Sequence, residues 1–343
     1  MVRLGAMGDI LHALPAVTAL RLAHPGWVID WVVEPRWRAL LAAEAAALQG
    51  ERNPAQPLVD HLHFAATKEW RKAPFSRQTR AEFKTLRTAL KSGAYDAVLD
   101  LQGSIRSALI ASLTGCQRRI GEANPRELPA RWFFTERVAT RGVHVIEQDL
   151  ELSAAIAGDT LQPVAPWLPV DRAAEAWANE IQPSIGSQPT VLINPGAGWG
   201  AKRWPVERYA AVARGLIERG CRVVVNAGPG EEPLAEAIVR GTGGAAIPLS
   251  CSLAQLIAIT RRIALGIAGD TGPLHLACAL GRPVVGIFGP TDPSRNGPFG
   301  TRFTVLRSPQ SRRNHTRYEA PEAGLLTIQP EEALRAAGAL LYP

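Results

Sequence analysis

The chain of 343 residues is 46% hydrophobic and 20% charged with no long polar tract, which excludes a disordered or fibrous protein and suits two domains. Its formal net charge of +7 favours an anionic partner (phosphate, nucleic acid or an acidic lipid surface) without choosing among them. No apolar run approaches the roughly 18 residues of a membrane span and the first residues lack a signal-peptide plan, so a cytoplasmic protein is expected.

The first informative segment runs from Leu4 to His12, LGAMGDILH, with two glycines around a turn and Asp9 just ahead of a helix read as starting at Pro15. The glycines are three apart with no third, so this is not the dinucleotide fingerprint and hydride transfer is weakly supported. A carboxylate at the carboxyl end of a parallel strand is placed to act as a general base, but in isolation Asp9 reads first as a cap of the helix. Only residues 1–4 precede Gly5, so the first strand is expected to be abbreviated, or to begin upstream, and to hold Asp9 weakly.

Beyond it, β-branched apolar runs at 27–33, 95–101, 190–194, 221–226, 263–268 and 283–288 read as strands. They alternate with helical patterns at 15–23, 104–113, 144–157, 205–219, 233–240, 253–261 and 272–280, several opened by Pro or a capping residue, which implies parallel α/β sheets. The Ala-rich patch at 40–48 reads as ordinary helix, and 330–341 as a terminal one. Basic residues at Lys68, Arg71, Lys72, Arg77, Arg80 and Lys84 read as a solvated charge run or a mobile loop that meets an acidic acceptor or membrane. Arg126 is open to the same two readings. The Pro-rich LQPVAPWLPV (161–170) and QPSIGSQP (182–189) mark a domain linker. Basic strands interleaved with aromatics are missing, which disfavours nucleic-acid readout. Cys116, Cys221, Cys251 and Cys278 are scattered, without zinc spacing, and read as buried reduced thiols.

Two loops in the second half carry phosphate chemistry. NPGAGWGAKRWP, from Asn194 through Gly196 to Lys202 and Arg203, is a Gly-rich exit from a strand that delivers two cations to a helix start. GIAGDTGPLH ends a buried strand in Asp270-Thr271-Gly272, and the helix that follows offers free N–H groups to an anion. His275 is as readily a satisfied interior histidine. The loop GIFGPTDP (286–293) shapes the same sheet edge through turn residues.

Taken jointly, GAMGDILHALPAV, IDWVVE, YDAVLDLQGSIRSAL, NPGAGWGAKRWP and GDTGPLHLACALGRPVVGIFGPTDP resemble the lipopolysaccharide heptosyltransferases, the ADP-heptose family of inverting glycosyltransferases with the GT-B fold. IDWVVE, the DLQG segment and Arg126-Glu127 are most like the heptosyltransferase I branch. The resemblance implies two Rossmann-like parallel-sheet domains facing across a cleft. These are an acceptor domain at 1–165, a donor domain at 166–320, and a terminal helix region at 321–343 that packs back toward the first. It implies transfer of heptose from ADP-heptose to Kdo of lipid A at the cytoplasmic face of the inner membrane, without metal or cofactor. Asp9 becomes the catalytic base and Lys202 the group that holds the departing diphosphate, with Asn194, Gly196, Asp270, Thr271, Gly272 and His275 around the donor. Gly8, Arg71, Lys72, Gln102 and Arg126 fall to the acceptor. Two other readings stay open: a relative that adds a later heptose or another sugar, and a nucleotide-sugar binding module without catalysis.

Overall fold

A computed structural model describes residues 1–47, 51–181, 188–313 and 319–342. The chain divides into two compact units, Met1–Asp171 and Arg172–Pro343.

In the first unit, helix α1 (Met7–Ala23) follows residues 1–4, and strand β1 (Asp30–Val33) pairs in parallel with β2 (His61–Phe64). Helices α2 (Thr67–Lys72) and α3 (Arg77–Ser92) lead to β3 (Val98–Leu99), α4 (Ile105–Leu113), β4 (Arg119–Glu122), β5 (Glu136–Val138) and α5 (Val145–Ala157). β3, β4 and β5 are parallel neighbours. Residues 1–4 join the two groups of strands. Val2 bridges Val32 on one side and Asp100 on the other, with Val2 N–H donating to Leu99 O at 2.9 Å and Glu34 N–H to Leu4 O at 3.1 Å. The short segment therefore has ladder bonds on both sides, and Val2 and Leu4 enter the core with Val32, Leu86, Leu90 and Val98. The first strand is abbreviated, as expected, but its bridging residue is paired on both sides.

The second unit opens with α6 (Arg172–Ile181) and holds one six-stranded parallel sheet. Its strands are β6 (Thr190–Asn194), β7 (Arg222–Asn226), β8 (Ile247–Leu249), β9 (Leu265–Gly269), β10 (Val284–Phe288) and β11 (Phe303–Arg307), in the order β11-β10-β9-β6-β7-β8. The helices are α7 (Val206–Glu218), α8 (Glu232–Gly241), α9 (Leu253–Thr260), α10 (Gly272–Ala279), the short α11 (Pro293–Asn296) and α12 (Pro330–Leu341). Strand order reverses between β6 and β9, and ligands of open α/β sheets bind beyond the carboxyl ends of the strands at such a switch point. β6, β9 and β10 are buried along their whole length, which is why they read as unbroken apolar runs.

Several expectations are corrected. Within the second unit the terminal helix α12 packs on α7 and strands β9 to β11. Its buried face, Ala333, Ala336, Ala337 and Leu340, is small enough for close approach. Gly215 on α7 leaves room for Leu334, whose Cδ1 would lie 2.8 Å from an added Cβ. The 161–170 run is strapped to the first unit through Trp167 N–H to Thr18 Oγ1 (3.2 Å) and Val170 N–H to Pro54 O (2.8 Å), and the division falls after Asp171. Residues 182–187 of the second linker stretch lie outside the described residues. The 40–48 patch is not a helix: a 3-10 segment, Pro35–Leu40, gives way to turns, and Leu48 lies outside the described residues. The basic run is helical, not a loop, with Trp70 anchored by donating to Glu82 Oε2 at 2.7 Å. All four cysteines are free, and Cys251 is only half-buried.

At the start of β1, Asp30 gathers His61 Nδ1 (2.7 Å), His63 Nε2 (3.0 Å) and the Tyr95 hydroxyl, which donates at 2.6 Å. Burial pushes the Asp30 carboxyl up, but the hydrogen bonds from His63, Tyr95 and His61 outweigh it and hold it well below the usual carboxylate range. Its stabilisation is therefore complete above the unfolded value of about 4 and disappears as pH falls through the lower folded value. Between pH 6 and pH 3 the urea midpoint of Asp30→Asn is expected to fall less than that of the parent chain; equal falls would contradict the assignment.

Candidate functional site

In the first unit the site forms where residues 1–4 end. Gly5 has φ +150°, and a Cβ there would lie 2.5 Å from Trp37 Nε1, so both backbone and space call for glycine. Helix α1 begins at Met7, eight residues before Pro15, which lies buried inside it. Asp9 is thus in the first turn, and its Oδ2 accepts the Ala6 N–H at 3.0 Å, a bond from the N-cap backbone back to the third helical residue. Gly8 precedes it on the same turn. The buried Arg3 donates from Nε to Asp9 O at 3.1 Å, and its guanidinium lies 3.8 Å from Asp9 Oδ1. Arg126, largely exposed, reaches within 4.0 Å of Oδ2. Asp9 therefore caps its helix and still offers a half-exposed carboxylate between two cations. Gly5→Ala is expected to cost about 1–3 kcal/mol, read as a lowered melting temperature, because it combines a strained backbone with a clash against an indole.

Beside it, Gln102 Oε1 accepts the Leu4 N–H at 2.7 Å, so this side chain braces the strand end. Asp100 lies fully buried beneath, its Oδ1 accepting from Gln102 N–H (2.8 Å) and Gly103 N–H (2.9 Å). Burial pushes its carboxyl up to about 6. Arg71 and Lys72 stand on the exposed last turn of α2, and the structure brings neither to Asp9 as it brings Arg126.

In the second unit the two phosphate loops meet at the switch point. The Lys202 ammonium pairs with Asp270 Oδ2, both side chains nearly buried, and lies over the Trp199 ring at 4.2 Å. His275 Nε2 holds the other Asp270 oxygen at 3.2 Å. Burial pushes the Asp270 carboxyl up, but the hydrogen bond from His275 and the charge of Lys202 outweigh it and set it well below the usual range. Thr271 is the N-cap of α10 and Gly272 its first residue; Pro273 has no N–H and Leu274 N–H donates to Thr271 O at 3.1 Å, so the helix start offers the Gly272 N–H and the positive end of its dipole. Asn194 is buried, its Oδ1 accepting from Asn226 Nδ2 at 2.8 Å, and the pair ties the ends of β6 and β7. Gly196 lies against Glu231, whose Oε2 would be 1.8 Å from an added Cβ.

The sequence pattern does not single out Arg3 or Glu231. The signal for Arg3 is a charge inside an apolar strand; for Glu231 it is an acid following the second strand of a Rossmann-like half, where ribose hydroxyls bind.

The comparisons with known proteins bear on this arrangement directly. Residues 83–325 match the model of glycosyltransferase family 9 (heptosyltransferase). The chain belongs to glycosyltransferase family 9. Lipopolysaccharide heptosyltransferase 1 of Escherichia coli K12 is 30% identical over 314 residues, covering 90% of this chain and 93% of that protein. Among solved structures, the E. coli heptosyltransferase WaaC with ADP superposes with a TM-score of 0.79 at 27% identity, over 99% of this chain and 98% of the other. The same enzyme with ADP-2-deoxy-2-fluoro heptose gives 0.75 at 26%, over 98% of each chain. The family 9 chain is thus a glycosyltransferase with the GT-B fold, two Rossmann-like parallel-sheet units, as the sequence resemblance implied.

Proposed function

We propose that this family 9 enzyme transfers heptose from ADP-L-glycero-D-manno-heptose to Kdo of lipid A, in the manner of heptosyltransferase I, at the cytoplasmic face of the inner membrane. The single observation that carries the reading is the Lys202–Asp270–His275 cluster at the switch point of the second sheet, beside the N-terminus of α10. An ammonium has three donors, so holding Asp270 leaves Lys202 able to meet an anion. Together with the helix N-terminus it would neutralise the charge that develops on the departing ADP, with no proton transfer needed at the leaving group. Asp270 and His275 then position Lys202, and Glu231 accepts from the ribose hydroxyls. Asp9 takes the proton from the acceptor hydroxyl as its oxygen attacks the anomeric carbon. The C1–O bond to ADP breaks as the new glycosidic bond forms, with inversion. Arg126 meets the acceptor carboxylate, and Arg71 and Lys72 extend the cationic surface.

Mass analysis of the acceptor tests both donor and branch. With ADP-heptose and Kdo-lipid A, the acceptor is expected to gain one heptose, whereas an acceptor that already carries that heptose is expected to stay unchanged. Extension of the heptosylated acceptor alone would move the assignment to a later heptose.

A further inference from the structure

The first unit exposes apolar side chains that its own core does not use. Helix α4 buries Ser107, Ala108, Ile110 and Ala111 and leaves Ile105 and Leu109, one turn apart, at the surface. Packed against α4 is a 3-10 turn, Leu128–Phe133, whose Ala130 joins Ala108 and Phe134 in a small core. That turn leaves Leu128 59% and Trp132 75% exposed. Glu127 Oε2 accepts the Ile105 N–H at 2.9 Å and ties the two elements together. Single exposed apolar residues are ordinary, but a tryptophan and three aliphatic side chains on two elements packed together call for an occupant.

The surrounding charge says what kind. Arg131 precedes Trp132 and is exposed. Arg126, two residues before Leu128, is the cation that reaches Asp9. We propose that this face is an anchor for an anionic lipid surface: Trp132, Leu128, Ile105 and Leu109 enter the boundary between headgroups and acyl chains, while Arg131 meets lipid phosphates. An indole with an apolar body and a polar N–H suits that boundary, and an adjacent guanidinium adds attraction to anionic headgroups. Among the described residues no helix is long and apolar enough to cross a membrane, so the contact is interfacial. The inference rests on the acceptor being a lipid and gives that reading a surface, adjoining Arg126, from which such an acceptor is presented.

The test uses the full chain, sedimented with phosphatidylcholine vesicles or with vesicles containing phosphatidylglycerol, at low and high salt. Two paired variants, Leu128→Ser with Trp132→Ser and Ile105→Ser with Leu109→Ser, are compared for vesicle binding and for turnover of vesicle-embedded and de-acylated acceptor. The parent chain is expected to bind the anionic vesicles and to lose binding with salt. Each paired variant should bind at least about tenfold less and turn over the embedded acceptor correspondingly slower, with turnover of the de-acylated acceptor unchanged. Binding equal to the parent in both variants, or no anionic-vesicle binding by the parent, would overturn the proposal. Self-association without lipid that both variants abolish would also overturn it, by assigning the face to a second copy. Failure of the functional reading would look different: no turnover of the de-acylated acceptor by the parent chain, whatever the vesicles show.

Discussion

Lys202→Ala is expected to damage both the fold and the reaction. Lys202 and Asp270 are paired with side chains about 11% and 8% exposed, so truncation leaves a carboxylate in a poorly solvated place with His275 as its remaining partner. Breaking a buried pair by removing one member typically costs about 3–5 kcal/mol, and the loss should appear as a lowered denaturation midpoint. The same change removes a fixed cation from the departing diphosphate, for which a drop of about 10²–10³ in kcat is expected. Lys202→Arg separates the two effects. A guanidinium keeps a charge near Asp270 but carries it on a planar fork, so stability should recover more than turnover does. If Lys202→Ala keeps full turnover in protein shown to be folded, the leaving-group role is wrong.

Asp9→Asn should behave in the opposite way, with stability nearly intact and turnover lost. The amide can still accept the Ala6 N–H through its Oδ1, so the helix start is preserved. It cannot take a proton from the acceptor, and general-base loss is expected to lower kcat by about 10²–10⁴. ADP-heptose binding, assigned to residues of the second unit, should be unchanged by calorimetry. A parallel loss of donor affinity would indicate that Asp9 acts through structure rather than as a base.

What was legible in the sequence follows from burial. β6, β9 and β10 are buried on both faces and stand out as short apolar runs, located to within about two residues. β4 (RIGE), β5 (ERV) and β2 (HLHF) are short and carry charged or histidine side chains, so no apolar run announces them. Helix α1 was placed too late because Pro15 looks like a helix opener, whereas the true start has Ala6 at the N-cap, a residue with no side-chain acceptor to mark it. The neighbours of α12 within the second unit are not legible because an alanine-rich face fits any neighbour that offers room, and the room is made by Gly215 far away in the chain.

The candidate site divides in the same way. Lys202 and Asp270 lie in two contiguous glycine-bearing segments, and each segment announces its strand and helix, so a shared phosphate site is legible from spacing, whereas the place of His275 beside Asp270 comes from the fold. Arg3 beneath Asp9 and Glu231 against Gly196 depend on side-chain directions that only the folded backbone supplies. Asn194 shows the converse: its position at the strand end is legible, but the bond its Oδ1 accepts from Asn226 Nδ2 is not.

The central claim, that this chain moves heptose from ADP-heptose onto a Kdo-bearing acceptor, is tested most directly by ADP release from the parent chain with each substrate alone and with both together. ADP is expected to accumulate only when ADP-heptose and de-acylated Kdo-lipid A are both present. Tight binding of ADP-heptose with no release of ADP in the presence of that acceptor would contradict the account and leave a nucleotide-sugar binding protein in its place.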